Sequence, residues 1–353
     1  MIMEEFRRIL IIRLSGIGDV VHTLPLLAAL RKRYPHAYIA WLVQKKAEEV
    51  LIGHPYLDEI ITFDRDRWLT ELWPLMSKLR NGRFDLVIDS HGQFRTGLFA
   101  YITGSKVRVG FNAKDGKEFN SIFINLKAPP FPEHWHAVDR YLALASILGA
   151  EIKKKEFQIQ IGEHEQEYAE RFLGKEGIKR GGLLIALNPG SSWKSKIWPS
   201  KNYARLADIL IGKFRARVVF LWGPGEESLI ESITTLMHEK PSVAPETSLK
   251  ELASLICSCT LFIGSDSAPL HIASSLAIPS IGLYGPTDPK RNGPYGQGNV
   301  AIKKDTTSLT CPKKGCRRCK QQDCTELIRV EDVVEQVENK IKDLEVPGIK
   351  KWM

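Results

Sequence analysis

The 353-residue chain has no run of about 18 consecutive apolar residues, the length a bilayer-spanning helix needs. Its first apolar stretch, RRILIIRL, is too short and too soon charged for a secretory signal. A cytoplasmic protein is therefore expected, at most peripheral to the inner face of the cytoplasmic membrane. No repeat of 20 to 50 residues is present, which excludes solenoids and propellers. Low-complexity sequence is confined to the basic tract CPKKGCRRCKQQDC, which holds four of only six cysteines. The formal charge of +9 gathers into no single arm, so it argues against a nucleic-acid tail and for an anionic substrate or surface. GIGDVV lacks the third glycine of a dinucleotide fingerprint, and no Gly-Lys-Ser/Thr of a phosphate loop occurs. A nicotinamide oxidoreductase is disfavoured on that ground.

With 43% apolar and 26% charged residues, the length suits two domains with separate cores. Apolar runs of strand length, RRILIIRL, YIAWLV, FDLVIDS and KVRVGF, alternate with helix-like segments such as HTLPLLAALRKRYP. The rhythm returns in GLLIALNP, ARVVFLWG, LFIGSD and SIGLYGP, with KNYARLADILIGKF among the segments between. Continuous apolar strands are buried on both faces, so the pattern predicts α/β architecture with two doubly wound parallel sheets. The seam is expected near EGIKRGG, residues 176–182, dividing the chain into 1–178 and 179–328, with a C-terminal segment 329–353.

Ligands of such sheets bind outside the carboxyl ends of the strands, so the loops there carry the functional candidates. In RLSGIGDVVHTLP, Gly16 and Gly18 permit unusual torsions and close approach, and Asp19 stands where a helix starts. Asp19 can cap that helix or, held on a rigid turn, serve as a general base. NPGSSWKSKIWP places Ser191, Ser192, Lys194 and Lys196 before a helix, a combination suited to phosphate, with Trp193 and Trp198 to fasten the loop. Glu226 of WGPGEE suits ribose hydroxyls or a plain helix start. In GSDSAPLHIASSLAIP, Asp266, Ser267 and Ala268 open a helix with His271 one turn in, and Ser265 or Asp266 can cap it.

Taken together, RLSGIGDVVHTLP, KIWP, GSDSAPLHIA and YGPTDP, in this order from about Arg8 to about Lys340, resemble the ADP-heptose-dependent heptosyltransferases of glycosyltransferase family 9. The resemblance implies a GT-B architecture, two Rossmann-like domains with acceptor on the first and nucleotide sugar on the second. VEDVVEQVENKIKDL, residues 330–344, is then expected to be a helix returning to the first domain. It also implies that Asp19 takes the acceptor proton, Lys196 meets the diphosphate beside Ser192, Glu226 the ribose and Asp266 the sugar. The amides of Ser267 and Ala268 receive phosphate, although Ala268 stands where the family more often has glycine. Gly18, Arg95, Lys117, His136 and Arg140 fall near the acceptor, where cations meet an anionic sugar acid or phosphate. The implied reaction transfers heptose from ADP-heptose to a Kdo or heptose of the lipopolysaccharide inner core. Another nucleotide sugar, a protein acceptor, or a non-catalytic nucleotide-binding module are the alternatives.

Asp64 and Asp66 spell D-x-D but sit beside Arg65 and Arg67, which reads as a self-paired surface loop. The leaving diphosphate can be neutralised by Lys196, hydroxyls and a helix terminus, so no catalytic metal or other cofactor is expected. Cys311, Cys316, Cys319 and Cys324 have C-x4-C-x2-C-x4-C spacing, which fits a structural zinc or iron site as well as four thiols, with disulfides the third reading. Cys257 and Cys259 read as small buried core residues.

Overall fold

The structure is a computed structural model and describes residues 5–179, 181–306 and 323–344. The chain forms two compact units, 1–160 and 161–353.

The first unit holds strands β1 (Arg8–Ile12), β2 (Tyr38–Gln44), β3 (Glu59–Phe63), β4 (Leu86–Asp89), β5 (Val107–Gly110) and β6 (Leu126–Lys127). All pair in parallel, in the order β3-β2-β1-β4-β5-β6. The crossovers carry α1 (Ile17–Arg33), α2 (Lys45–Glu48), α3 (Trp68–Asn81), α4 (Phe94–Ile102) and α5 (Ala137–Ser146). Strand side chains alternate between the two faces. Leu10 and Ile12 join Leu42, Val87, Leu75, Leu79 and Phe99 in one core layer, so α3 and α4 cover that face. Ile9, Ile11, Ile39 and Trp41 are also wholly buried. Burial on both faces explains why these strands read as unbroken apolar runs.

The second unit repeats the topology. Its strands are β7 (Leu184–Asn188), β8 (Arg217–Phe220), β9 (Ser242–Val243), β10 (Leu261–Ser265), β11 (Ser280–Tyr284) and β12 (Val300–Lys303). They run parallel in the order β12-β11-β10-β7-β8-β9. Its helices are α6 (Glu163–Lys175), α7 (Ser200–Phe214), α8 (Glu227–Thr234), α9 (Leu249–Cys257), α10 (Ala268–Ser275), α11 (Pro289–Asn292), α12 (Asp323–Glu326) and α13 (Val330–Leu344).

Three expectations are corrected here. The units divide after Gln160, ahead of the expected 178, because α6 packs on α9. Helix α13, expected to return to the first domain, forms with its apolar face in the second unit's core. Val330, Val333 and Val337 are buried there with Tyr203, Leu206 and Leu210 of α7. Arg205–Glu331 and Lys213–Glu338 ion pairs, both 2.6 Å, flank that seam. Cys259 is buried, but Cys257 ends α9 exposed.

Candidate active site

Strand order reverses between β1 and β4 in the first unit, where successive crossovers depart to opposite sides and leave a crevice at the strand ends. Gly16 turns the chain there with a φ of 74° and precedes α1. A Cβ on Gly16 would lie 2.5 Å from Asp19 Oδ2, so any other residue would both strain the turn and displace the carboxylate. The N-cap position is Gly16, which offers no side chain to the first amides of α1, and the Asp19 carboxylate reaches other groups. Its Oδ2 instead meets the Arg13 guanidinium at 2.6 Å, and its Oδ1 accepts from Tyr141 Oη at 3.2 Å. The Asp19 side chain is 40% exposed, whereas that of Arg13 is 7% exposed.

Arg13 spans the reversal, donating to the Ser90 carbonyl after β4 at 2.6 Å and lying 4.8 Å from the centroid of the Tyr141 ring. Burial pulls its pKa down, but Asp19 and then Tyr141 more than offset this, so the guanidinium stays charged. Sequence reading missed both partners: Arg13 stands in the same motif but gave no sign of being buried, and Tyr141 lies 122 residues from Asp19.

A buried carboxylate shapes the neighbouring loop. Asp89 ends β4 fully buried, accepting from the amides of His91 and Gly92 at 2.9 and 3.0 Å. Thr96 Oγ1 and Asn120 Nδ2 donate to it at 2.8 and 2.7 Å. Burial pushes its pKa up against those four donors. His91 Nε2 faces Gln93 Oε1 at 2.9 Å, while burial and then the Arg13 charge pull the imidazole pKa down to about 4. The imidazole is therefore neutral at pH 7.

The expected acceptor residues are dispersed around this centre. Gly18 is half-buried in the first turn of α1. Arg95 is half-buried on α4, 6.0 Å from the centroid of Phe63, and burial and then Arg65 pull its pKa down. Lys117 exposes its ammonium while its amide donates to Gly92 O at 2.8 Å. His136 caps α5 through Nδ1, accepting from Val138 at 3.2 Å, with its ring edge-on to buried His22 at 5.1 Å. Arg140 is committed to its own loop: it donates to the carbonyls of Trp135, Pro132 and Glu133 and pairs with Asp115 at 3.7 Å. Asp64 caps a short turn by accepting from the Asp66 amide at 2.9 Å, and Asp66 pairs with Lys46 at 3.9 Å rather than with either arginine.

In the second unit the order reverses between β10 and β7, and the candidates converge there. Asp266 is almost wholly buried, with Lys196 Nζ at 2.7 Å, Thr287 Oγ1 at 2.6 Å and His271 Nε2 at 3.5 Å. Burial raises its pKa, but His271 and then Lys196 hold the carboxyl well below the usual range. Lys196 also lies 4.5 Å from the centroid of Trp193, and Ser191 Oγ donates to Asp266 O at 3.3 Å. Ser192 and Lys194 are exposed on the same loop. Trp198 fastens it, fully buried and donating to Ile328 O at 2.9 Å.

Neither Ser265 nor Asp266 caps α10; Ser267 is its N-cap residue, with no side-chain bond to the first amides. Ser267 Oγ instead donates to Asn188 Oδ1 at 3.2 Å, leaving the amides at Ala268 available to an anion. Glu226 precedes α8, and its Oε2 accepts from Gly223 N at 2.9 Å. Its carboxylate fills the space a Cβ on Gly190 would take, and burial pushes its pKa up. The loops after β7, β8 and β10 thus collect an ammonium, hydroxyls, a helix N-terminus and an acceptor carboxylate, a set able to bind a nucleoside diphosphate. Thr287 was missed although its motif, YGPTDP, stood out.

Among the described residues, no group of three or more His, Cys, Asp or Glu side chains could hold a metal. Cys311, Cys316 and Cys319 lie outside the described residues; Cys324 is half-buried in α12. No described helix is long and apolar enough to cross a membrane.

The family described as glycosyltransferase family 9 (heptosyltransferase) matches residues 72–321. The lipopolysaccharide core heptosyltransferase OpsX of Haemophilus influenzae is 30% identical over 296 residues, 83% of each chain. A glycosyltransferase of family 9 from Veillonella parvula has the same fold, with a TM-score of 0.82, 26% identity and coverage of 96% of this chain and 98% of that one. The Escherichia coli heptosyltransferase WaaC with ADP shares the fold at a TM-score of 0.72 and 22% identity, covering 95% and 98%.

Proposed function

Since the chain belongs to glycosyltransferase family 9, the heptosyltransferases, we propose that it transfers heptose from ADP-heptose to the inner core of lipopolysaccharide. Both doubly wound units of a GT-B enzyme are present. The reading assigns the acceptor to the first and the nucleotide sugar to the second. The acceptor hydroxyl, of Kdo or heptose, attacks the anomeric carbon as Asp19 takes its proton. The bond from that carbon to the diphosphate oxygen breaks, ADP leaves with the electron pair, and the configuration inverts. Lys196 and the amides opening α10 meet the charge that develops on the diphosphate, an electrostatic role that requires no ion. Glu226 suits the ribose and Asp266 the sugar hydroxyls, with Lys196, Thr287 and His271 fixing the Asp266 carboxylate.

One observation carries this reading: Asp19 is partly open to solvent and is held by a buried counter-charge at the strand-order reversal. A general base needs such fixed geometry. The acceptor is a lipid-linked saccharide, so the enzyme works at the cytoplasmic face of the inner membrane. Incubation with ADP-heptose and acceptors truncated at successive core sugars tests the proposal. ADP release that depends on one acceptor supports it and names the sugar; no release with any of them refutes it.

A further inference from the structure

The first unit exposes large apolar side chains on α3 and on the turn beside α4. Leu69 and Trp73, one turn apart on α3, are 71% and 75% exposed. Leu75 and Leu79 of the same helix are buried, so the apolar arc of α3 is wider than the core beneath it. On the α4 side, Phe119 and Ile122 are 82% and 67% exposed, on a short turn packed against that helix.

This turn is a rigid mount. Asn120 ties it to the buried Asp89 and to Gln93 O at 2.7 and 2.8 Å. A Cβ on Gly97 would lie 2.6 Å from Asn120 Nδ2 and 2.7 Å from the Phe123 ring, so α4 and the turn are in close contact. Two consecutive non-glycine residues, Glu118 and Phe119, adopt left-handed torsions, with φ of 53° and 58°. Such torsions cost roughly 1–2 kcal/mol each and persist only where surrounding bonds impose them. Their result is a phenylalanine held out into solvent.

The charges along this stretch are mostly positive. Between Phe94 and Lys127 the sequence has Arg95, Lys106, Arg108, Lys114, Lys117 and Lys127 against only Asp115 and Glu118. Asp115 is moreover engaged with Asn112, Phe131 N and Arg140. Exposed aromatic and aliphatic side chains beside an excess of cations match an anionic lipid interface, where apolar groups enter the headgroup layer and cations meet phosphate.

We infer that α3, α4 and the turn at 119–123 form the face by which the protein docks on an anionic phospholipid bilayer. The inference rests on the proposed reading that the acceptor is embedded in a membrane, and it places Arg95 and Lys117 at the edge of the docked surface.

Co-sedimentation of the full chain with vesicles of phosphatidylethanolamine and phosphatidylglycerol, against phosphatidylcholine alone, provides the test. The protein should pellet with the anionic vesicles and less so as salt rises. The pairs Phe119→Ser with Ile122→Ser, and Leu69→Ser with Trp73→Ser, should each lower partitioning roughly tenfold or more. These side chains are exposed, so melting temperature and transfer to a deacylated, water-soluble acceptor should stay as in the wild type. Wild-type protein that ignores anionic vesicles, or variants that partition equally well, would overturn the docking face. Self-association without lipid, lost in both variants, would overturn it in favour of an interface between copies. Absence of transfer to the soluble acceptor would instead count against the heptosyltransferase reading and leave the vesicle result standing.

Discussion

Arg13 and Asp19 form an ion pair of 2.6 Å in which the cation is buried and the carboxylate is partly open to solvent. The asymmetry sets the roles. Arg13 is fixed on three sides by Ser90 O, the Tyr141 ring and Asp19, and so acts as an anchor. Asp19 retains a solvent-facing edge on which a hydroxyl proton can be received.

Replacing Asp19 by Asn keeps the shape and removes the base. Turnover should fall by ~10²-fold or more while ADP-heptose affinity stays near that of the wild type. Titration calorimetry and ADP-release kinetics measure the two separately; near-normal turnover would remove Asp19 from the chemistry. Arg13→Gln should lower turnover less and move the acid limb of the pH–rate profile upward, because Asp19 then lacks its cation. An unmoved limb would leave Arg13 a purely structural role.

Gly16→Ala tests the turn itself. The new Cβ meets the Asp19 carboxylate and the φ of 74° is unfavourable, so a loss of about 1–2 kcal/mol in stability is expected together with a disproportionate loss of turnover. Denaturant melts beside kinetics separate these; stability lost with turnover intact would mean that Asp19 need not be placed by this glycine.

The eight central strands were legible because strands buried on both faces are written as continuous apolar runs. The four that escaped, β3, β6, β9 and β12, are the edges of the two sheets, short or half-exposed and therefore mixed in composition. The domain boundary escaped because α6, EHEQEYAERFLGK, buries only Ala169 and Phe172 and reads as a surface helix of either unit. Asp19, Lys196 and Asp266 announced themselves through glycines and hydroxyls at strand ends. Asp89, Tyr141 and Thr287 did not, because their importance comes from partners distant in sequence; Arg13, though close to Asp19, is fixed by the distant Ser90 and Tyr141, and spacing cannot reveal that Arg140 serves its own loop.

The donor cluster should respond to either member of its ion pair. Lys196→Ala removes the cation proposed for the diphosphate and leaves Asp266 buried without its closest positive partner. ADP binding should weaken at least about tenfold, with stability lowered by roughly 3 kcal/mol. Thr287→Val, which deletes only one hydrogen bond to Asp266, should cost about 1 kcal/mol and leave ADP affinity within a few-fold. Calorimetry with ADP checks both; unchanged binding in Lys196→Ala would place the diphosphate elsewhere.

Acid should weaken the two units in separate windows. Burial pulls the pKa of His54 down to about 4, and burial followed by the Arg13 charge does the same to His91. An unfolded histidine titrates near 6.5, so folding favours the neutral ring, and the contribution is complete above that pH. It is lost as pH falls from about 6.5 through 4, at a cost on the order of 2–3 kcal/mol for each ring. Both rings lie in the first unit. Asp266, in the second, is a carboxylate whose folded pKa is held low, so its contribution persists until pH drops below the unfolded value near 4. Urea melts at a series of pH values should show the first unit weakening between pH 6.5 and 4, with the Asp266 contribution lost only below that range. His54→Asn and His91→Gln should each flatten the earlier slope, and in the double variant most of it should disappear. A double variant that weakens as steeply as the wild type would assign the acid sensitivity to other groups.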